Sequence, residues 1–123
     1  MARSYEFNTE DIVTTRGTWS GSSTPASNTA CVVTLTGTAT DTCLLVKQMI
    51  FSYDNAPTGG LLTVTVGGTT VLTQAITASG IGPVDIGGIV SQRVSSTGVP
   101  ATIVVTLSAG GAGVTGYLTV FSW

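Results

Sequence analysis

The stretch from Ala101 to Trp123, ATIVVTLSAGGAGVTGYLTVFSW, constrains the fold more than any other. Two runs of period-two texture flank a glycine-rich break, Ala109-Gly110-Gly111-Ala112-Gly113. Side chains on a strand alternate between faces, so Ile103, Val105 and Leu107 share one face. In the second run Leu118 and Val120 share a face, and Tyr117, Thr119, Phe121 and Trp123 share the opposite one. A hairpin across the glycines pairs Val105 with Leu118 and Ile103 with Val120. That closes an aliphatic patch and leaves three aromatic rings on the far side. A slip of one residue inverts the assignment, and the glycine segment does not set the register.

The rest of the chain has the same grain. Leu61–Val66 and Thr69–Ile76 are joined by Gly67-Gly68, a two-residue turn that predicts a tight hairpin. Symmetric pairing about it sets Val64 against Val71, Leu62 against Thr73 and Thr65 against Thr70. One side is then mostly aliphatic and the other mostly threonine. Upstream, Cys31–Thr36 and Cys43–Tyr53 are predicted strands, with Gly37 to Asp41 as a reversal. Downstream, Gly80, Gly82, Pro83, Gly87 and Gly88 permit only short strands, at Val84–Ile86 and Ile89–Val94. No useful length shows helical periodicity. Roughly seven or eight short strands at about 8–12 residue spacing predict an all-β fold, an antiparallel two-sheet sandwich.

Residues 1–29 read differently. Tyr5, Phe7, Ile12, Val13 and Trp19 are spread among polar residues, and Gly17 to Asn28 is turn-rich. The expectation is an extended N-terminal arm with short strands near Ser4–Phe7 and Asp11–Thr15, followed by a loop, ahead of a sandwich domain over 30–123. Such an arm either wraps its own domain or reaches a neighbouring subunit.

Composition narrows the function classes. Charge is scarce, at 8% of residues, and the net charge is −2. The four cations, Arg3, Arg16, Lys47 and Arg93, are scattered. Neutralising phosphates needs clustered cations, so neither nucleic acid nor an anionic membrane is an expected partner. A hydrophobic fraction of 42% argues against disorder. No run approaches the roughly eighteen apolar residues of a membrane helix. The N-terminal residues show no apolar signal region, which predicts synthesis and retention in a cytoplasm or exit by another route. A surface this poor in charge fits a subunit packed against neighbours better than a free monomer.

Catalytic equipment is missing from the pattern. There is no histidine, the commonest general base and metal ligand near neutral pH. The six acids are Glu6, Glu10, Asp11, Asp41, Asp54 and Asp85, of which Glu10 and Asp11 are adjacent and point to opposite faces of any strand. Asp41 and Asp54 fall in predicted turns, where Asp bonds its own backbone. Asp54-Asn55 lacks the further acids that calcium needs. The expectation is no enzyme, no cofactor and no metal. Cys31 and Cys43 lie symmetrically about Gly37, so a hairpin there sets them opposite one another. A disulfide would need that pair to close in by about 1 Å, and buried free thiols are the commoner state without a secretion signal.

That leaves the aromatic side of the terminal run. If the aliphatic face packs the core, Tyr117, Phe121 and Trp123 stand outside it, and with Tyr5 and Phe7 of the arm they are candidate subunit-interface residues. The alternatives are that an inverted register or a second sheet buries the rings, or that they stack on sugar rings.

From about Lys47 onward the chain resembles small β-sandwich virion proteins of tailed bacteriophages. The residues that carry this are KQMIFSYDNAPTGGLLTVTVGGTTVL, the loose GIGPVDI segment and ATIVVTLSAGGAGVTGYLTV. Family members are capsid decoration (cement) proteins or jelly-roll modules of fibres. The resemblance implies a jelly-roll-like sandwich and a non-enzymatic structural role on the phage head surface. It implies self-association as a homotrimer and the major capsid protein as partner. The second function it leaves open is a tail-fibre or tail-tip module that binds host surface glycan.

Overall fold

The computed structural model describes residues 20–38, 43–84, 89–92 and 98–122. Among these, every regular element is a strand: β1 (Ser20–Ser23), β2 (Cys31–Leu35), β3 (Cys43–Tyr53), β4 (Gly60–Val66), β5 (Thr69–Ile76), β6 (Gly80–Val84), β7 (Ile89–Gln92), β8 (Ile103–Leu107) and β9 (Gly116–Ser122). They form two antiparallel sheets. One runs β1-β9-β3-β6, with β7 also on β3; the other runs β2-β8-β4-β5. The expected sandwich is what the chain builds.

Its winding follows from one turn. Gly67 and Gly68 both sit at positive φ (58° and 85°), the geometry of a turn whose twist matches the flanking strands. Outward from that tip the ladders nest: β4 with β5, β3 with β6 and β7, β2 with β8, β1 with β9. β6 and β7 lie end to end along one edge of the long β3, opposite Met49–Tyr53 and Cys43–Val46 respectively. Counted as one edge position, they complete the strand order of a jelly roll.

The core lies between the sheets, where the inward residues of each strand meet. Cys31, Val33 and Leu35 alternate with exposed neighbours on β2, and Leu62 and Val64 alternate with exposed or half-buried ones on β4. On β3 the alternation changes phase. Leu44 and Val46 are buried, Lys47 and Gln48 are both exposed, and then Met49, Phe51 and Tyr53 are buried. The register against β9 shifts between Val46 and Gln48, so Lys47 is the extra residue of a bulge that resets which face is inward.

Four expectations need correction. The terminal hairpin does not form: β8 pairs with β2 and β4, whereas β9 pairs with β1 and β3 in the other sheet. Val105 stands opposite Val33 and Val64, and Leu118 opposite Ser23 and Phe51. The glycine segment is therefore a crossing between sheets. Second, no hairpin centred on Gly37 opposes the cysteines. Cys31 pairs with Leu107 in one sheet and Cys43 with Gln92 in the other, and both are free thiols. Third, the β4–β5 hairpin carries a bulge after Thr70. Val64 faces Leu72 and Thr63 faces Thr73, one residue off the symmetric register, while Thr65 keeps Thr70. Fourth, two stretches read as irregular are strands: Ser20–Ser23 pair with β9, and Gly80–Val84, where Gly80, Gly82 and Pro83 were expected to break the chain, pair with β3. The arm strands near Ser4–Phe7 and Asp11–Thr15, with Tyr5 and Phe7, lie outside the described residues, as do Glu6, Glu10, Asp11, Asp41, Asp85 and Trp123.

Candidate functional site

β9 is the central strand that faces two ways. Leu118 and Val120 point into the core at 1% and 0% exposure, while Tyr117 and Phe121 stand outside at 42% and 43%. Of the two registers left open by the sequence, the one with the aliphatic pair inward and Tyr117 and Phe121 outward is adopted, although the partner strands differ. Four residues of extended chain separate the two rings along the strand, about 13 Å. Between them, across the β3 ladder, Thr119 meets Ile50, which is 37% exposed. Gln48 stands beside Phe121 and Ser52 beside Tyr117 on β3, and on β1 the exposed Ser22 stands beside Thr119.

The result is a patch with an apolar centre (Tyr117, Ile50, Phe121) and a polar surround that includes the exposed Lys47 next to Gln48. That is the anatomy of a protein interface, in which aromatics are enriched at the core and charges depleted. Among the described residues only Lys47 and Asp54 are ionisable acids or bases of the Asp, Glu, Lys or Arg type. A surface with so few charges gives a partner little to steer by and little to desolvate.

One end of the sandwich is tied together by hydrogen bonds, and this end carries the crossing that delivers the chain to β9. Tyr53 donates its hydroxyl to the Ser108 carbonyl at 2.7 Å. Ser108 also bonds Leu61 twice: its N–H donates to the Leu61 carbonyl at 2.8 Å, and the Leu61 N–H donates to its Oγ at 2.8 Å. Farther along, the Asp54 carboxylate accepts from the Thr115 N–H at 2.8 Å, and the Asp54 N–H donates to the Thr115 carbonyl at 3.0 Å. Asp54 was expected to serve its own turn; it caps a loop from the opposite end of the chain instead. Gly110 is required in this crossing, because a Cβ there would lie 2.5 Å from Val114 Cγ1 and 3.0 Å from the Tyr53 ring.

The cysteines are not part of any site. Burial pushes the Cys31 thiol above its usual range, with a side-chain hydrogen bond from Ser23 working the other way. Cys31 is thus a protonated, core-filling side chain at neutral pH. No group of three or more metal-ligating side chains gathers among the described residues.

Two features escaped the sequence. Ile50 was hidden because the Lys47 bulge shifts the phase of β3, and an unbroken alternation from Leu44 would have turned Ile50 inward. The second is an open depression of about 410 Å³ lined by Val66, Val71, Ile89 and Val90. It joins strands from different parts of the chain, so no local pattern marks it.

No family model matches the chain, and none of the curated proteins does. Solved structures similar to it include a mutant VP2 protein of infectious bursal disease virus in derived T=1 particles, with 20% identity over 82% of this chain and a TM-score of 0.29. The structure of the Gt strain of the same virus matches at 20% identity over 84% of the chain, with a TM-score of 0.27. Its T13 viral particle matches at 18% identity over 83%, with a TM-score of 0.26. The chain spans about a third of the length of those proteins, 31%, 30% and 30% respectively.

Proposed function

We propose that this chain is a structural virion protein, a capsid decoration (cement) subunit of a tailed phage that bridges major capsid proteins at the head surface. The observation that carries the reading is the outward patch of Tyr117, Ile50 and Phe121 on a sandwich where, among the described residues, only Lys47 and Asp54 are charged. Adhesion is what such a surface can do: it removes apolar area from water at about 25 cal/mol per Å² and leaves few charges to desolvate. The resemblance of the chain from Lys47 onward to small phage virion proteins supports the same role, and in this reading the chain assembles as a homotrimer. The chemistry is then one of contact alone, with no bond made or broken and no cofactor.

The test uses phage heads that lack the chain. Added wild-type protein binds them in hundreds of copies and raises their resistance to heat. Phe121→Ala together with Tyr117→Ala binds at least tenfold more weakly while keeping the far-ultraviolet circular dichroism of the wild type. Heads whose heat resistance is unchanged by the protein would overturn the reading. Glycan binding that the same double variant abolishes would instead favour a tail-fibre or tail-tip role for the patch.

A further inference from the structure

Among the described residues no strand pairs with the outer edge of β5, the last strand of the second sheet, and the direction of its backbone groups can be deduced. Leu61 of β4 directs both its N–H and its carbonyl to Ser108, on the β8 side. In an antiparallel ladder the two backbone groups of one residue point the same way, and those of the next residue point the other way. Leu62 and Val64 therefore turn towards β5, where they meet Gln74 and Leu72. The groups of Thr73 and Ala75 point off the sheet. The Gln74 side-chain amide donates to the Ala75 carbonyl at 3.2 Å, as an outward carbonyl permits.

We propose that this edge pairs with itself: β5 of one copy joins β5 of a second, antiparallel across a two-fold axis, doubling the four-stranded sheet. The occupant is a second copy because of what the strand lacks. From Asn55 to Val84 the chain holds no Asp, Glu, Lys or Arg. Two identical strands can thus meet without like-charge repulsion, whereas a charged foreign segment finds no complement. β5 also has neither the lysine nor the proline that commonly blocks edge pairing, and its bulge sits near one end. Centring the axis on Thr73 uses the outward groups. Thr73 then faces the second copy's Thr73, a favourable cross-strand pair, and Val71 covers the second copy's Ala75. Val71 is 51% exposed, so apolar area flanks the new ladder. The exposed Gln74 amide releases the Ala75 carbonyl as the strands join.

This inference does not rest on the virion reading. It is tested by sedimentation velocity on the full chain over a wide concentration range, using Thr73→Lys and Thr73→Glu. The wild type shows a reversible step that doubles the mass. Each variant alone weakens that step at least tenfold at low salt with unchanged circular dichroism, and mixing the two restores it. Three results would overturn the proposal: a wild type with no doubling step, a step equally strong in both variants, or variants that fail to associate when mixed. A step that ignores Thr73 but disappears in Phe121→Ala would also overturn it and would assign the contact to β9.

Discussion

β5 and β9 are nearly equal in length, eight and seven residues, and both are built from β-forming residues. Yet β9 alternates strictly between buried and outward positions, while β5 is exposed almost throughout, with only Leu72 and Ile76 half-buried. β9 lies between β1 and β3, so its two ladders hold it flat against the core. β5 has, among the described residues, a neighbour on one side alone, and its bulge sits where the strand leaves the turn. The number of ladders does not decide burial by itself: β2 also enters a single described ladder, yet buries Cys31, Val33 and Leu35.

That contrast can be broken by truncation. Leu118→Ala in β9 removes a side chain that is 1% exposed and is expected to cost about 2–5 kcal/mol, because the cavity cannot collapse between two ladders. Leu72→Ala in β5 should cost less than half as much. Urea unfolding of both variants measures the difference, and equal losses would mean that the edge strand is packed as tightly as the central one. A smaller effect is expected at the brace that leads into β9. Tyr53→Phe deletes the bond to the Ser108 carbonyl and should lower stability by about 1 kcal/mol in the same assay. The smallest effect sits at the end of β9 itself. Ser122 Oγ is buried without a hydrogen-bond partner among the described residues, so Ser122→Ala should be neutral or raise stability by up to about 1 kcal/mol. A clear loss in calorimetry would show that the hydroxyl is in use.

The alternation of Leu118 and Val120 against Tyr117 and Phe121 was readable because period two survives whichever partner a strand takes. For the same reason the partner was not readable. Ile103, Val105 and Leu107 form an inward stripe equally well if β8 pairs with β9 or faces it across the core. Local sequence decides only where the turn is short enough to force pairing, as at Gly67-Gly68. Even there the bulge after Thr70 moved the register by one, since nothing in TTVLTQAI marks the extra residue. The Lys47 bulge did leave a trace, a polar pair between Val46 and Met49 where alternation calls for one polar residue. Asp54 lay beyond local reasoning, because its acceptor role is to Thr115 and such long-range caps have no spacing rule. That Tyr117 and Phe121 share one face was legible, but which face was outward was not; the Ile50 between them required the β3 bulge to be known.

The nesting of the β4–β5, β3–β6, β3–β7, β2–β8 and β1–β9 ladders about Gly67-Gly68 has a kinetic consequence. Joining β1 to β9 directly from an open coil would mean closing nearly the whole described chain into one loop, an entropic cost that grows with loop length. If the ribbon zips from its tip, each new ladder closes only the short connections left by the one before. Damage at the tip should then slow the arrival of the native state, while equal damage at the β1–β9 end should chiefly hasten its departure.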